Sequence, residues 1–420
     1  MAGVTPELRG SLAPLPNIPQ QALEFPRLHD RMLTKTGRLE SPRTVSVNAA
    51  MIGCAAGKDY HDGAFVHRHE TIKRGASMHR PLKITHRSGI DQGAEIVQHA
   101  NSPTCPRGML EINPVFGCQF RCVYCGIYAL ERDYFDEVIV YDDYPAYLDD
   151  WLRTNCDMLR DHYFYFSAKT DCFQPALLET GLTLTILEIL RKHNARYFLV
   201  TKAGLPPQDI RDAMIDAKDI NQVIISATMP DEDLRQKLEP DAAPMEDRLA
   251  LARFCIDNGI FVTASCCPVL PVTDRTYLRE TFARLSAVGV KHFYFDFARL
   301  SKDAVDNMMT LLPEHRADFE RHYFTDEAQV SRWRMPHRDR TIDKLQPPLR
   351  FMLDAFQALS DCVREVAPDA TVSVCNHFLS SDRLPGYNRA ASSKCISCIG
   401  HRFATIGQRS ALRADVDPHC

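Results

Sequence analysis

The chain has 420 residues, of which 45% are hydrophobic and 25% charged, and a net charge of −4 at neutral pH. That length fits one large domain with appendages or two domains, and the composition is that of a globular protein. No strong basic field is present to attract phosphates, which argues against an enzyme of duplex DNA. Fifteen cysteines is a high count. The start, Met1-Ala2-Gly3-Val4-Thr5-Pro6-Glu7, lacks the basic and then apolar regions of a secretory signal. No apolar run approaches the length that spans a bilayer. The thiols therefore read as metal or redox groups of a cytoplasmic protein rather than as disulfide staples.

In chain order, residues 1 to about 50 are rich in Pro, Arg and Ser without periodicity and read as an irregular arm. The stretch 51–105 carries Gly, His and Arg and reads as an extended segment wrapping a core. From about 108 short apolar or aromatic runs alternate with helical patterns, the sign of successive βα units on a parallel sheet. The strands are expected at Met109–Asn113, Tyr163–Phe166, Arg196–Val200, Gln222–Ser226, Ile260–Ala264 and His292–Phe295. Helices are expected at Ala176–His193, Met245–Asn258 and Tyr277–Val288. Six units make a partial (β/α)6 barrel, whose functional groups collect at the carboxyl ends of the strands. A closing segment follows, with a helix over about 349–365, a strand at Thr371–Val374 and a cysteine-bearing tail. The expected domains are a 1–107 extension, a 108–300 barrel and a 301–420 lid.

The first expected strand leads into Gly117-Cys118-Gln119-Phe120-Arg121-Cys122-Val123-Tyr124-Cys125-Gly126. Three cysteines at C-x3-C-x2-C can hold three corners of a four-iron cube, which usually takes four thiolates. The missing fourth leaves one iron open to an outside ligand. A zinc knuckle would need a second Cys or His pair nearby, and none follows. Spacing and flanks resemble the radical S-adenosylmethionine (radical SAM) superfamily. The resemblance implies a [4Fe-4S] cluster on Cys118, Cys122 and Cys125. SAM would be chelated at the open iron, and a flavodoxin- or ferredoxin-type donor would start reductive cleavage of a C–S bond.

Further segments resemble one branch of that superfamily, the spore photoproduct lyase and its DNA-photolyase-like relatives. They are Asn113-Pro114, Thr170-Asp171 with Gln174-Pro175, Thr201-Lys202, Leu238-Glu239-Pro240 with Arg248-Leu249, and Pro268-Val269-Leu270-Pro271 with Thr273-Asp274. The resemblance covers roughly 108–275. It implies that Lys202 pairs with the cofactor carboxylate, that Ser226 helps to hold the cofactor, and that Tyr124 lies beside the cluster. Thr170 and Asp171 join that cofactor set, Asp171 as a ribose ligand or a helix cap.

The chain departs from the lyase where its hydrogen-donating thiol would stand, because Ser167-Ala168-Lys169-Thr170 contains none. Cys172, Cys266 and Cys267 instead add thiols at two strand ends and are the candidate catalytic groups. A thiol is both a hydrogen-atom donor and a soft-metal ligand, and neighbours on a regular strand cannot both point inward. In the tail, Cys375, Cys395, Cys398 and Cys420 stand near His377, His401 and His419. They suit an auxiliary iron–sulfur cluster, a structural zinc or a thiol clamp over the pocket. The function expected from all this is radical tailoring of a small molecule in secondary metabolism, by a lyase or a transferase. Two alternatives remain: nucleic-acid repair like that of the lyase, and transfer of a 3-amino-3-carboxypropyl radical to a thiol-held acceptor. The expected partners are a small-molecule substrate and the electron donor, with nucleic acid disfavoured and no membrane.

Overall fold

A computed structural model describes residues 82–88, 97–99, 109–127, 136–160, 162–229, 231–271, 275–297, 299–325, 329–335 and 340–374. The expected arm at 1–50 and the tail cysteines Cys375, Cys395, Cys398 and Cys420 lie outside these residues. The extended segment at 51–105 is described only where it forms two short strands, β1 (Lys83–Arg87) and β2 (Val97–His99).

The strands that follow are β3 (Met109–Ile112), β4 (Val115–Phe116), β5 (Glu137–Tyr141), β6 (Tyr163–Phe166), β7 (Tyr197–Thr201), β8 (Asn221–Ser226) and β9 (Phe261–Val269). Then come β10 (His292–Phe297), β11 (Leu300–Ser301), β12 (Gln329–Met335), β13 (Arg340–Gln346) and β14 (Thr371–Val374). The main sheet runs β14-β10-β9-β8-β7-β6-β3-β2. Every neighbouring pair in it is parallel except β2 with β3. It is a partial α/β barrel, and all six expected strands are present.

The barrel has one more parallel strand than expected. The Thr371–Val374 strand was foreseen but not placed. It is β14, which runs beside β10 in the register His292↔Thr371 to Phe295↔Val374. The helix α10 (Leu349–Val366) delivers it. Its Met352, Ala355, Leu359 and Val363 face join the core around the sheet, each larger side chain contributing on the order of 1.5–3 kcal/mol by leaving water.

After α1 (Tyr144–Thr154), the expected helix Ala176–His193 is two helices, α2 (Pro175–Glu179) and α3 (Leu182–Lys192). Gly181 sits between them at φ 71°, a left-handed conformation that ends a helix and that glycine adopts without a Cβ penalty. The expected Met245–Asn258 and Tyr277–Val288 helices are α6 (Met245–Asp257) and α7 (Arg275–Ala287). Short α4 (Gln208–Asp216), α5 (Glu232–Leu238), α8 (Lys302–Leu311) and α9 (Arg316–Tyr323) had not been anticipated.

Side chains alternate across the sheet. Leu110, Ile112, Phe164, Phe166, Leu199, Val223, Ile225, Val262, Ala264, Phe293 and Phe295 are buried under the helices in one core. The intervening positions, among them Glu111, Tyr165, Phe198, Gln222, Thr263, Ser265, Tyr294 and Asp296, face the concave side. Polar residues on that side cost little if they line a binding cavity, and they distinguish it from a second core.

Candidate active site

The cysteine loop does not leave β3 directly. Asn113-Pro114 turns the chain into β4, which pairs antiparallel with β5 in a second sheet, and the loop follows. The turn is tied down: the Asn113 N–H donates to the Tyr144 hydroxyl at 3.1 Å, and Lys169 N–H donates to Asn113 Oδ1 at 3.0 Å. Gly117 then adopts φ 90°, and a Cβ there would stand 2.1 Å from the Glu137 carbonyl oxygen. Only glycine fits between β5 and the first cysteine. Gly117→Ala is expected to lose at least roughly 2 kcal/mol of stability to overpacking and left-handed strain. A chemical-denaturation midpoint at the wild-type value would contradict this.

Beyond Gly117 the loop is latched to the barrel at three places. Gln119 N–H donates to Gln174 Oε1 at 3.0 Å, while Ala176 N–H donates to Gln119 Oε1 at 2.7 Å. Arg121, at φ 49°, donates through Nε to Asp241 at 2.7 Å. Val123 N–H donates to the Leu238 carbonyl at 2.9 Å. Around it Phe120, Val123, Met229, Leu238, Leu270 and Leu300 form an apolar wall against which Cys118, Cys122 and Cys125 pack. Such a wall keeps water from a reactive centre.

The wall affects the thiols. Burial, with help from Asp171 and Cys125, pushes the Cys118 thiol up to about 12. Burial also raises the Cys122 thiol well above its ordinary value, against the pull of Lys202. Metal ligation requires thiolates, so the loop favours a strongly positive guest that compensates three buried charges at once.

Two polar groups meet beneath the loop. In the first, Lys202 Nζ donates to Ser226 Oγ at 3.2 Å and stands 5.9 Å from the Tyr124 ring centre. Asp171 supports it by accepting from the Lys202 N–H at 2.8 Å, the Thr201 hydroxyl at 2.9 Å and the Phe173 N–H at 2.9 Å. Burial holds the Asp171 carboxyl above its ordinary range in spite of those donors. In the second group, Glu239 accepts from the Tyr124 hydroxyl and, at 2.6 Å, from Arg248. Arg248 also donates to the Ser226 carbonyl at 2.9 Å and the Ala243 carbonyl at 2.8 Å.

Burial opposes the charges on Lys202 and Glu239, yet mutual attraction wins for both. The Glu239 carboxylate and Cys122 hold the Lys202 ammonium above its usual value. Arg248, followed by Lys202 and the Tyr124 phenol, holds the Glu239 carboxyl below its usual value. Glu239 and Arg248 are site residues that sequence reasoning quoted as a motif without a role. The signal available was the pair of buried-type charges at a spacing that lets α6 bring them together.

The added thiols separate. Cys267 faces the concave side and is half-buried, with Tyr165 among its electrostatic neighbours. Cys266 turns the other way, into the layer under the helices, where its Sγ donates to the Ala227 carbonyl at 3.3 Å. Cys172, expected at the mouth, is fully buried in the same apolar layer beside Tyr197, and its carbonyl accepts from the Thr183 hydroxyl at 2.6 Å. Strand alternation explains Cys266. Cys172 turns inward to the core with Phe173 as the chain enters α2. Of the other described cysteines, Cys255 lies in that core, Cys362 packs against it and Cys156 is half-buried in a short helical turn.

The residues fit the cluster and cofactor that the loop implies. Among the described residues, no group of three or more His, Cys, Asp or Glu converges on a single metal ion, and a cube takes each thiolate at a different iron. At the ends of β3 and β6, Asn113 Nδ2, Ser167 Oγ and Thr170 Oγ1 are buried without a hydrogen-bond partner. Buried polar atoms are rarely left so unless a ligand or water completes them. With Lys202 they offer donors to a zwitterion.

The sequence pattern of the radical SAM superfamily matches residues 112–285, the stretch that holds the loop and both polar groups. The stretch 112–285 is similar to the radical SAM superfamily. The fold of the chain is similar to that of spore photoproduct lyase complexed with dinucleoside spore photoproduct. That match has a TM-score of 0.52 and 16% identity over 69% of this chain and 81% of the other. A mutant of the same lyase with bound AdoMet and dinucleoside spore photoproduct matches with a TM-score of 0.53, the same identity and the same coverage. No curated protein sequence matches the chain significantly. The radical SAM superfamily is one of enzymes that use a [4Fe-4S] cluster and SAM. Among the described residues, no helix is long and apolar enough to cross a membrane.

Proposed function

We infer that this radical SAM enzyme tailors a small molecule held on the concave face of the sheet, with Cys267 as a hydrogen-atom donor. The observation that carries the reading is the Cys267 thiol, half-buried on the concave side with Tyr165 among its electrostatic neighbours. The chain's net charge of −4 supplies no strong basic field for a phosphodiester backbone.

When bound, the cluster and SAM supply a carbon-centred radical by one-electron reductive cleavage of a C–S bond. The chain's own residues position the reactants. Lys202 and Ser226 take a carboxylate, and Asp171 fixes Lys202 by holding its backbone N–H. Asn113, Ser167 and Thr170 give polar contacts at the neighbouring strand ends, and Tyr124, pinned by Glu239, supports the cysteine loop from below. Cys267 gives its hydrogen atom to a substrate radical. The sulfur radical left behind takes an electron from a flavodoxin- or ferredoxin-type donor and a proton from solvent. The setting we propose is cytoplasmic secondary metabolism.

The test is anaerobic reconstitution followed by incubation with SAM and a reductant. 5′-Deoxyadenosine is the expected fragment, and methylthioadenosine would replace this reading by 3-amino-3-carboxypropyl transfer. No binding to single- or double-stranded oligonucleotides is expected at low salt, and tight binding would favour the repair alternative. Cys267→Ala is expected to keep SAM cleavage while losing conversion of a small molecule from a metabolite extract. Full conversion by that variant would remove Cys267 from the mechanism.

A further inference from the structure

The hairpin β12–β13 lies outside the matched domain, yet β13 brings a lysine to the cysteine loop. Lys344 pairs in register with Ser301 of β11 and is only 8% exposed. Its Nζ lies 3.5 Å from where a Cβ on Gly126 would stand, immediately after Cys125. The next residue of β13, Leu345, packs on the apolar wall around the three cysteines.

We propose that Lys344 is a charge-tuning residue for the iron site, placed to offset the negative charge that builds up when a cluster on Cys118, Cys122 and Cys125 accepts an electron. This rests on the iron-site reading above. A cluster with three thiolate ligands is anionic, and reduction by the one-electron donor adds one further negative charge while no bond to Lys344 forms or breaks. A fixed cation behind an apolar wall therefore favours the reduced form, since net charge and dielectric both set the potential of such clusters. Lys202 approaches the loop from the strand ends and is committed to Ser226. Lys344 approaches at Gly126 and belongs to a different sheet.

The experiment is a redox titration, monitored by electron paramagnetic resonance, of the anaerobically reconstituted full chain. Wild type, Lys344→Met, Lys344→Gln and Lys344→Arg are compared with iron counted in each. The two uncharged variants are expected to be at least tenfold harder to reduce, a downward shift of about 59 mV for one electron. Lys344→Arg is expected to stay near wild type. Uncharged variants that carry full iron and titrate at the wild-type potential would overturn the proposal. If neither uncharged variant assembles a cluster, assembly by Lys344→Arg shows that the charge is required, and its failure too shows that shape matters and the proposal falls. A wild-type chain that binds no iron overturns the iron-site reading itself and this inference with it.

Discussion

Cys122→Ala is expected to lower the iron content of the reconstituted chain by about four atoms and to abolish SAM cleavage. Cys118→Ala and Cys125→Ala are expected to do the same. The three thiols are the full donor set of the loop, and each alanine removes one corner ligand of a cube that has only three. The protein should nevertheless fold. Cys122 packs against an apolar wall built mostly from Phe120, Leu238, Leu270, Val305 and Met308, and alanine removes only one buried sulfur from it. Iron counting with circular dichroism on the same sample separates the two effects. Unchanged iron in a folded Cys122→Ala chain would remove the cluster assignment. The same count in Cys395→Ala/Cys398→Ala reads the tail, where an auxiliary cluster requires a further fall of about four.

Arg248→Leu is expected to destabilise the fold by roughly 3–5 kcal/mol, because it leaves the Glu239 carboxylate buried without its cation. The pair is 1% and 0% exposed with an N···O distance of 2.6 Å, so water cannot replace the lost partner. Lys202 would remain as a weaker compensation. Glu239→Leu/Arg248→Leu together should cost less than the sum of the single changes, since a buried pair replaced whole leaves no orphan charge. Urea denaturation of the four proteins measures the coupling, and strict additivity would contradict it.

The pair also sets a pH dependence. The Glu239 carboxyl is held below its ordinary value of 4.5 in the folded protein. The folded state therefore binds fewer protons than the unfolded one in that range, and the stabilisation is present above about 4.5 and lost as pH falls through the depressed value. Part of the acid sensitivity should disappear in the double leucine variant. Denaturation midpoints followed downward from neutral pH in both proteins check this.

Much of the site was legible in the chain because it is local. C-x3-C-x2-C at 118, 122 and 125 needs no tertiary contact to be read as a three-cornered ligand, and Gly117 before it marks a turn that only glycine can make. Strand ends were legible as well, since Thr201-Lys202 and Ile225-Ser226 follow runs whose apolar alternation fits a sheet buried on one face. Lys202 and Ser226 therefore meet as the parallel order β7-β8 requires.

What needed three dimensions was direction and distance. Three extra thiols looked alike in the sequence, and only the pleat decides that Cys267 faces the cavity while Cys266 faces the core, with Cys172 buried where the chain enters α2. The Glu239–Arg248 pair beneath Tyr124 forms because α5 and α6 return to the same strand ends. Lys344 reaches Gly126 from far along the chain through the pairing of β13 with β11. The sequence by itself determined which chemistry the chain can start, because adjacent residues carry that information. The tertiary structure alone decided which charges and thiols surround it, because burial and opposition across a sheet are properties of the packed molecule.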